Sequence, residues 1–188
     1  MEEKKQLRQY MKQQLSVIGR PQYEQMSYQI AQYLYNDSFF QDASHIGITI
    51  SNIPEVDTYQ IIRTCWEQGK VVSVPKCLPK QRDMDFRVLN RFDQLESTYS
   101  NLFEPILHNT LSTDITQLDL LIVPGLIYAP NGSRIGFGGG YYDRYLKNYL
   151  GNTISLAFSA QIIEEIPSEE HDIRVQKIIT NKGVIRVK

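Results

Sequence analysis

Cysteine is scarce in this chain. Cys65 and Cys77 are the two in 188 residues, and no C-x-x-C spacing joins them. That excludes a disulfide framework and leaves two reduced thiols in a cytosolic setting. Histidine is also sparse: His45, His108 and His171 stand far apart. None has the spacing of a zinc centre, so each reads as structural or exposed. Net charge is missing too. Twenty Lys+Arg against 21 Asp+Glu leave −1, so no basic field exists to hold a nucleic-acid backbone. No run approaches the ~20 apolar residues a spanning helix needs. The opening stretch, MEEKKQLRQYMKQQL, is charged and amphipathic, unlike an apolar leader. The expectation is a soluble, cytoplasmic chain with neither nucleic acid nor membrane as partner.

What remains is an ordinary globular composition, 41% hydrophobic and 22% charged. The length suits one domain spanning 1–188, with enough chain for a sizeable core. There is no internal repeat, low-complexity run or linker.

Leu7, Tyr10, Met11, Leu15 and Ile18 recur at helical spacing, which predicts a helix from about Glu2 to Ile18. Gly19 stops it, and Pro21 suits the first turn of the next helix, which carries Tyr23, Met26, Ile30 and Leu34. Phe39-Phe40 anchors the connection to the sheet. HIGITIS (His45 to Ser51) reads as a buried strand. Thr58 is the expected cap of a helix holding Tyr59, Ile62, Cys65 and Trp66, and Gly69 ends it. KVVSVP (Lys70 to Pro75) is the next strand, which makes a βαβ unit with parallel strands. MDFRVL (Met84 to Leu89) alternates as an outer strand, and 90–116 is irregular. LDLLIVP (Leu118 to Pro124) is the clearest central strand, and NTISLAF (Asn152 to Phe158) is another. KIITNKGVIRV (Lys177 to Val187) closes the chain as a strand or hairpin turning near Asn181-Lys182-Gly183. The fold class predicted is α/β: one three-layer αβα domain with a mostly parallel sheet. Ligands in such folds lie beyond the C-terminal strand ends, so the loops after Ser51, Pro75, Pro124 and Phe158 are candidates for a shared cleft.

One stretch stands out: PGLIYAPNGSRIGFGGGYYDRYL, Pro124 to Leu146. It passes an Asn131-Gly132 turn and the cation Arg134, then Gly136, Gly138, Gly139 and Gly140, and opens a helix at Tyr141 that Gly151 closes. No Gly-Lys-Ser/Thr follows the glycines, so this is not a Walker A loop. Tyr141 stands where the third glycine of a dinucleotide fingerprint belongs, so that motif fails as well. The physics still favours an anion. Consecutive glycines let backbone N–H groups close on a phosphate, Arg134 adds a charge-assisted contact, and Asp143 is placed to hold Mg²⁺ against it. Read locally, the same residues also make a flexible loop with Asp143 favouring a helix N-terminus.

The string closely resembles the signature of the 5-formyltetrahydrofolate cyclo-ligase family: Pro-Gly-Leu, a turn with Gly, then Arg-x-Gly-x-Gly-x-Gly-Tyr-Tyr-Asp. The resemblance runs over nearly the whole chain, from the Lys-x-x-Leu-Arg helix to the final His-Asp stretch. It implies a fold like that of the sugar-phosphate isomerases and CoA-transferases. It also implies a ligase of folate one-carbon metabolism that uses ATP and Mg²⁺ to turn 5-formyltetrahydrofolate into 5,10-methenyltetrahydrofolate, ADP and phosphate. The substrate is then a folate, polyglutamated or not. A monomer is compatible with this, and the oligomeric state stays open.

By residue, the resemblance implies nucleotide contacts from Lys4, Lys5, Gln6, Leu7 and Arg8, and from Arg134, Ile135, Gly136, Phe137, Gly138, Gly139, Gly140, Tyr141 and Tyr142. Folate contacts fall on Ile50, Glu55, Phe137, Gly138, Gly139, Gly140 and Tyr141. Arg134 and Tyr141 are the catalytic candidates, and Asp143 and Asp172 the metal candidates. Gln176 departs from an acidic residue that many relatives carry there. Taken locally, Lys4 and Arg8 are also a solvated cationic face, and Glu55 also suits the start of the next helix. Tyr141 and Tyr142 also suit a core. A non-catalytic folate or nucleotide binder and a sugar-phosphate isomerase-like enzyme are the competing readings.

Overall fold

The computed structural model describes residues 2–98, 102–169 and 172–187. Helix α1 spans Glu2–Ser16, and Gly19 breaks the chain before α2, Arg20–Tyr35, with Pro21 in its first turn as predicted. Met11 and Leu15 are the buried apolar residues of α1, worth about 3–6 kcal/mol together at ~1.5–3 each. Tyr10, expected on the apolar side, is exposed. A helix held so lightly needs ties at its start, and the site supplies them.

A short helix α3, Ser38–Asp42, buries Phe40 and is capped by the Asp37 side chain, which accepts from Phe39 N. Strand β1 follows at His45–Gly47, shorter than HIGITIS suggests. Ile48 N still donates to Ser73 O, so the chain leaves the sheet gradually. Helix α4 covers Tyr59–Glu67. Thr58 does not cap it with its side chain as expected. Its hydroxyl instead donates to Thr49 O and accepts from Ser51 N, while Asp57 accepts from Tyr59 N.

Strand β2, Val71–Leu78, runs past Pro75 and pairs antiparallel with β3, Asp83–Val88. Pro75 therefore lies inside a strand, and the loop expected after it does not exist. The irregular 90–116 stretch holds a small hairpin, β4 Leu95–Ser97 with β5 Phe103–Pro105. Strand β6 is Leu120–Ile122. A second small hairpin comes next, β7 Ile127–Tyr128 with β8 Arg134–Ile135. Helix α5 is only Tyr141–Leu146. It does not continue to Gly151, because the Tyr149 hydroxyl turns back to donate to Asn152 O and Leu150 stands almost fully exposed. Strand β9, Asn152–Ala157, and the hairpin β10 Lys177–Thr180 with β11 Gly183–Arg186 complete the chain.

Seven strands form one sheet in the order β11-β10-β9-β6-β1-β2-β3. Its middle is parallel: β10 on β9, β9 on β6, β6 on β1 and β1 on β2. An antiparallel strand closes each edge. Alternation sorts the core into two sides. Leu120 and Ile122 face the packing of α1, α2 and α4, while Leu121 and Val123 join Tyr145 and Leu146 of α5 on the other. This is the mixed α/β architecture with a mostly parallel sheet and flanking helices that the sequence predicts. The chain moves outward from β1 on one side and from β6 on the other. The switch point lies between these two strands, and the loops after β1, β6 and β9 meet there.

Candidate active site

Two cavities lie at that end of the sheet. The first, of about 310 Å³, is lined by the glycine stretch from Arg134 to Asp143 and by Lys4, Arg8, Glu169 and Asp172. Hairpin β7–β8 delivers Arg134, whose side chain is almost wholly buried at 3% exposure. Its Nη2 donates to Asp143 Oδ1 at 2.8 Å, and the Ile173 N–H approaches the same oxygen at 3.4 Å. Its Nε is buried and has no hydrogen-bond partner among the described residues, and neither has the Tyr142 hydroxyl. A buried guanidinium N–H beside a glycine loop is a place for an oxyanion.

The glycines earn their identity at two places. Gly138 and Gly140 have φ of +111° and +64°, which side-chain-bearing residues rarely adopt. Arg144 steadies the loop from outside by donating to Gly139 O at 2.9 Å, with its guanidinium over the Tyr141 ring. Arg8 steadies it from α1 by donating from Nε to Gly136 O at 2.8 Å.

Lys4 closes the same cavity. Its ammonium sits 2.6 Å from Asp172 Oδ2 and 2.9 Å from Glu169 Oε2. Burial works against this charge, but the hydrogen bonds it donates to Asp172 and Glu169, with their negative charge, outweigh that and hold the amine above the ordinary lysine range. These are the ties α1 needs at its start. Helix α5 has six residues, so little macrodipole is available. Arg134, Lys4 and Arg8 are the cations on this lining.

The second cavity, of about 550 Å³, is walled by Leu15, Ile18 and Tyr23 on one side and Ile53, Gly125 and Leu126 on the other. Its polar lining comes from Glu55 and Gln161 together with Lys12, Ser16 and Arg20. Gln161 is fixed from both ends, accepting from Phe158 N and donating to Leu126 O. Glu55 accepts from Asn52 N at 2.9 Å. Burial pushes its pKa above the usual carboxylate value, against the pull of that N–H. Phe137 lines both cavities and is half-exposed, so one ring divides them.

Most of the residues singled out in the sequence gather here. Lys4, Arg8, the stretch 134–143 and Asp172 line the first cavity, and Glu55 and Phe137 the second. Three do not face the first: Lys5 and Gln6 are exposed, and Leu7 packs on the core. Ile50 is buried in the core beneath the site and lines neither. Glu169 was missed, since nothing local distinguishes it, and so was Gln161, although it sits in a loop already marked by its position after a strand. His45 Nε2 is hydrogen-bonded to the Ser73 hydroxyl at 2.7 Å, and burial lowers its pKa against the pull of Asp119. His108 is exposed, and His171 lies outside the described residues. Cys65 and Cys77 are free, and burial pushes both to about 12, so neither is a thiolate nucleophile at neutral pH.

The described residues contain no cluster of three or more His, Cys, Asp or Glu able to hold a metal alone. The first cavity does bring Asp143 and Asp172 together beside its cations. That suits Mg²⁺, which is commonly held by one or two carboxylates plus substrate phosphates. No described helix is long and apolar enough to cross a membrane.

A glycine-lined cavity carrying three cations and three carboxylates, beside a more apolar one at the switch point of a mostly parallel sheet, is the arrangement of an α/β enzyme. Known proteins agree. The 5-formyltetrahydrofolate cyclo-ligase family pattern matches residues 1–181. The 5-formyltetrahydrofolate cyclo-ligase of Mus musculus is 32% identical over 189 residues, covering 94% of this chain and 92% of its own. That of Escherichia coli (strain K12) is 32% identical over 147 residues, 76% and 80% of the two chains. The solved structure of Aquifex aeolicus 5,10-methenyltetrahydrofolate synthetase has the same fold, with a TM-score of 0.86 at 24% identity over 98% of this chain and 93% of that one. The chain belongs to the 5-formyltetrahydrofolate cyclo-ligase family.

Proposed function

We propose that the protein converts 5-formyltetrahydrofolate to 5,10-methenyltetrahydrofolate with ATP and Mg²⁺, releasing ADP and phosphate. The observation that carries this is the pair of cavities meeting at Phe137: one suits a polyphosphate and the other an apolar, donor-bearing ring system. Family membership supports the folate.

The chemistry asks little covalent help of the protein. A formamide carbon is a poor electrophile, and its oxygen is a poor leaving group. Attack of the formyl oxygen on the γ-phosphorus of ATP expels ADP and corrects both. Nitrogen 10 of the folate then attacks the activated carbon and gives up its proton, the C–O bond breaks, and phosphate leaves with the oxygen and that proton. Phosphoryl transfer of this kind depends on positioning and charge neutralisation. Arg134 is the group for the transferring phosphoryl, being pre-oriented by Asp143 and desolvated. Lys4, Arg8 and the loop N–H groups hold the remaining phosphate oxygens. Tyr141 lines the cavity where the reacting groups meet. When bound, Mg²⁺ supplies further neutralisation of phosphate charge, with Asp143 and Asp172 to hold it. Glu55 is the acceptor for the paired amino and ring N–H donors of the pterin, and Phe137, half-exposed between the cavities, keeps water from the reacting centre.

The test is direct. Purified protein given 5-formyltetrahydrofolate and MgATP is expected to generate the methenyl chromophore. No chromophore, or equal amounts without ATP, overturns the assignment.

A further inference from the structure

Behind the second cavity lies a smaller one, of about 30 Å³, and both are bordered by Glu55, Gly125 and Gln161. Tyr128 of β7 lines the smaller one. It is fully buried, and its hydroxyl has no hydrogen-bond partner among the described residues. Ser155 and the Gly125 backbone come near without reaching hydrogen-bond geometry, and Ser155 Oγ donates instead to Val123 O at 2.7 Å. A methyl on Gly125 would stand 3.0 Å from the Tyr128 hydroxyl oxygen, so the phenol lies one backbone thickness from the larger cavity. Burial holds this phenol well above the ordinary tyrosine range, so it keeps its proton and stays a donor. A buried donor left unmatched is costly. The other polar groups of the small space sort by their bonds. Thr58 spends its hydroxyl on Thr49 O and Ser51 N, and Gln161 is held from both ends. Ser51 Oγ accepts from Thr58 N at 3.0 Å and keeps a proton to give. Glu55 has Oε2 engaged with Asn52 N. Two hydroxyl donors and a carboxylate around this space make it roomy and polar enough for a water molecule.

We propose that this space holds a structural water that accepts from the Tyr128 and Ser51 hydroxyls and donates to the Glu55 carboxylate, which makes Tyr128 a positioning residue for the pterin acceptor. The inference rests on the folate reading above, in which Glu55 is ionised to accept two N–H donors. Burial opposes that charge, and the Asn52 N–H does not offset it. A water behind the carboxylate adds a second donor to the charged form and fixes the plane of the group. Lys12 of α1 and Arg20 and Tyr23 of α2 line the cavity that Glu55 faces, while Tyr128 and Tyr142 feel its charge. The three tyrosines are pushed up by burial and stay neutral. The two cations are exposed, so solvent screens them. Tyr128→Phe therefore changes no charge around Glu55 and removes one anchor of the water.

Three measurements on wild type and Tyr128→Phe test this. A crystal structure of the wild type is expected to show an ordered water bonded to Tyr128 Oη and to Glu55, and the variant to lose or displace it. A dry space, or a Tyr128 hydroxyl bonded elsewhere, overturns the proposal. Melting of the variant should be unchanged or lower, because a satisfied hydroxyl is lost; a variant that melts higher shows that the hydroxyl was dry and unpaired, and also overturns it. The third measurement is calorimetric binding of 5-formyltetrahydrofolate without ATP, from about pH 4 to about pH 8, a span that covers the ordinary carboxylate value and the range above it. Affinity should fall as pH drops through the raised value of Glu55. In Tyr128→Phe that fall should begin about half a pH unit higher, a loss of about threefold on the acid side that closes toward neutral pH. The shift should be absent when Tyr128→Phe is added to Glu55→Gln. Equal weakening at every pH, or the same shift in the Glu55→Gln background, overturns the positioning role and leaves the folate reading in place. If wild type binds no 5-formyltetrahydrofolate at any pH, the folate reading itself falls, and the role of Tyr128 with it.

Discussion

Truncating Arg134 to alanine separates the structural from the chemical role of the pair it makes. The guanidinium is 3% exposed and its partner Asp143 is 19% exposed, with 2.8 Å between them. Removing one member of a buried pair costs about 3–5 kcal/mol, because the other is left as an uncompensated charge. Asp143 is partly wetted, so water recovers some of this and about 2–3 kcal/mol should remain. At about 2–4 °C per kcal/mol for a domain of this size, the melting temperature should fall by about 4–12 °C. Asp143→Ala and the double variant complete a cycle, whose coupling should exceed ~0.5 kcal/mol. A second arm reads the ligand. MgATP at about a hundred times its Kd should stabilise the wild type by ~2.7 kcal/mol, and that increment should vanish in Arg134→Ala. Differential scanning fluorimetry with and without MgATP measures both arms. Melting within about 2 °C of wild type would show that the pair is not formed as described, and a retained MgATP shift would remove Arg134 from the anion site.

Two further outcomes follow from burial. Glu55 holds its proton more tightly in the folded chain than in the unfolded one, because burial raises its pKa. Its contribution to stability is therefore fully present below the unfolded value of about 4.5 and is lost as pH rises through the higher folded value. Glu55→Gln should melt higher than wild type at neutral pH, with the gap closing in acid, and should bind 5-formyltetrahydrofolate more weakly; a gap that widens in acid would refute the sign. Gly47→Ala places a methyl 2.7 Å from Leu121 Cδ1 and 3.1 Å from Phe86 Cε1. Overpacking of this kind costs about 1–3 kcal/mol, so thermal melting several degrees below wild type is expected, and an unchanged midpoint would mean that the sheet face is looser than described.

The legible parts of the molecule were those written in local chemistry. Gly19 and Pro21 mark the break between two helices, alternating and continuous apolar runs mark β3 and β6, and Asn181-Lys182-Gly183 marks the final hairpin. The glycine stretch and Arg134 were readable for the same reason. Elements ruled by tertiary contacts were not. Gly151 as the closing residue suggests a longer α5, yet the chain turns earlier, where the Tyr149 hydroxyl donates to Asn152 O. The β7–β8 hairpin has two residues per strand, too few to show a period. Glu169 meets Lys4 across 165 positions of sequence, and no local pattern carries that information.

Phe137 has one more implication. A single half-exposed ring forms part of two cavities, so any shift that admits a ligand on one side redraws the wall on the other. Affinities at the two sites are then thermodynamically linked. Whatever factor the first occupant applies to the second, the second must return to the first, whichever arrives earlier. Where occupancy of one cavity moves that ring, the coupling between the two is reciprocal.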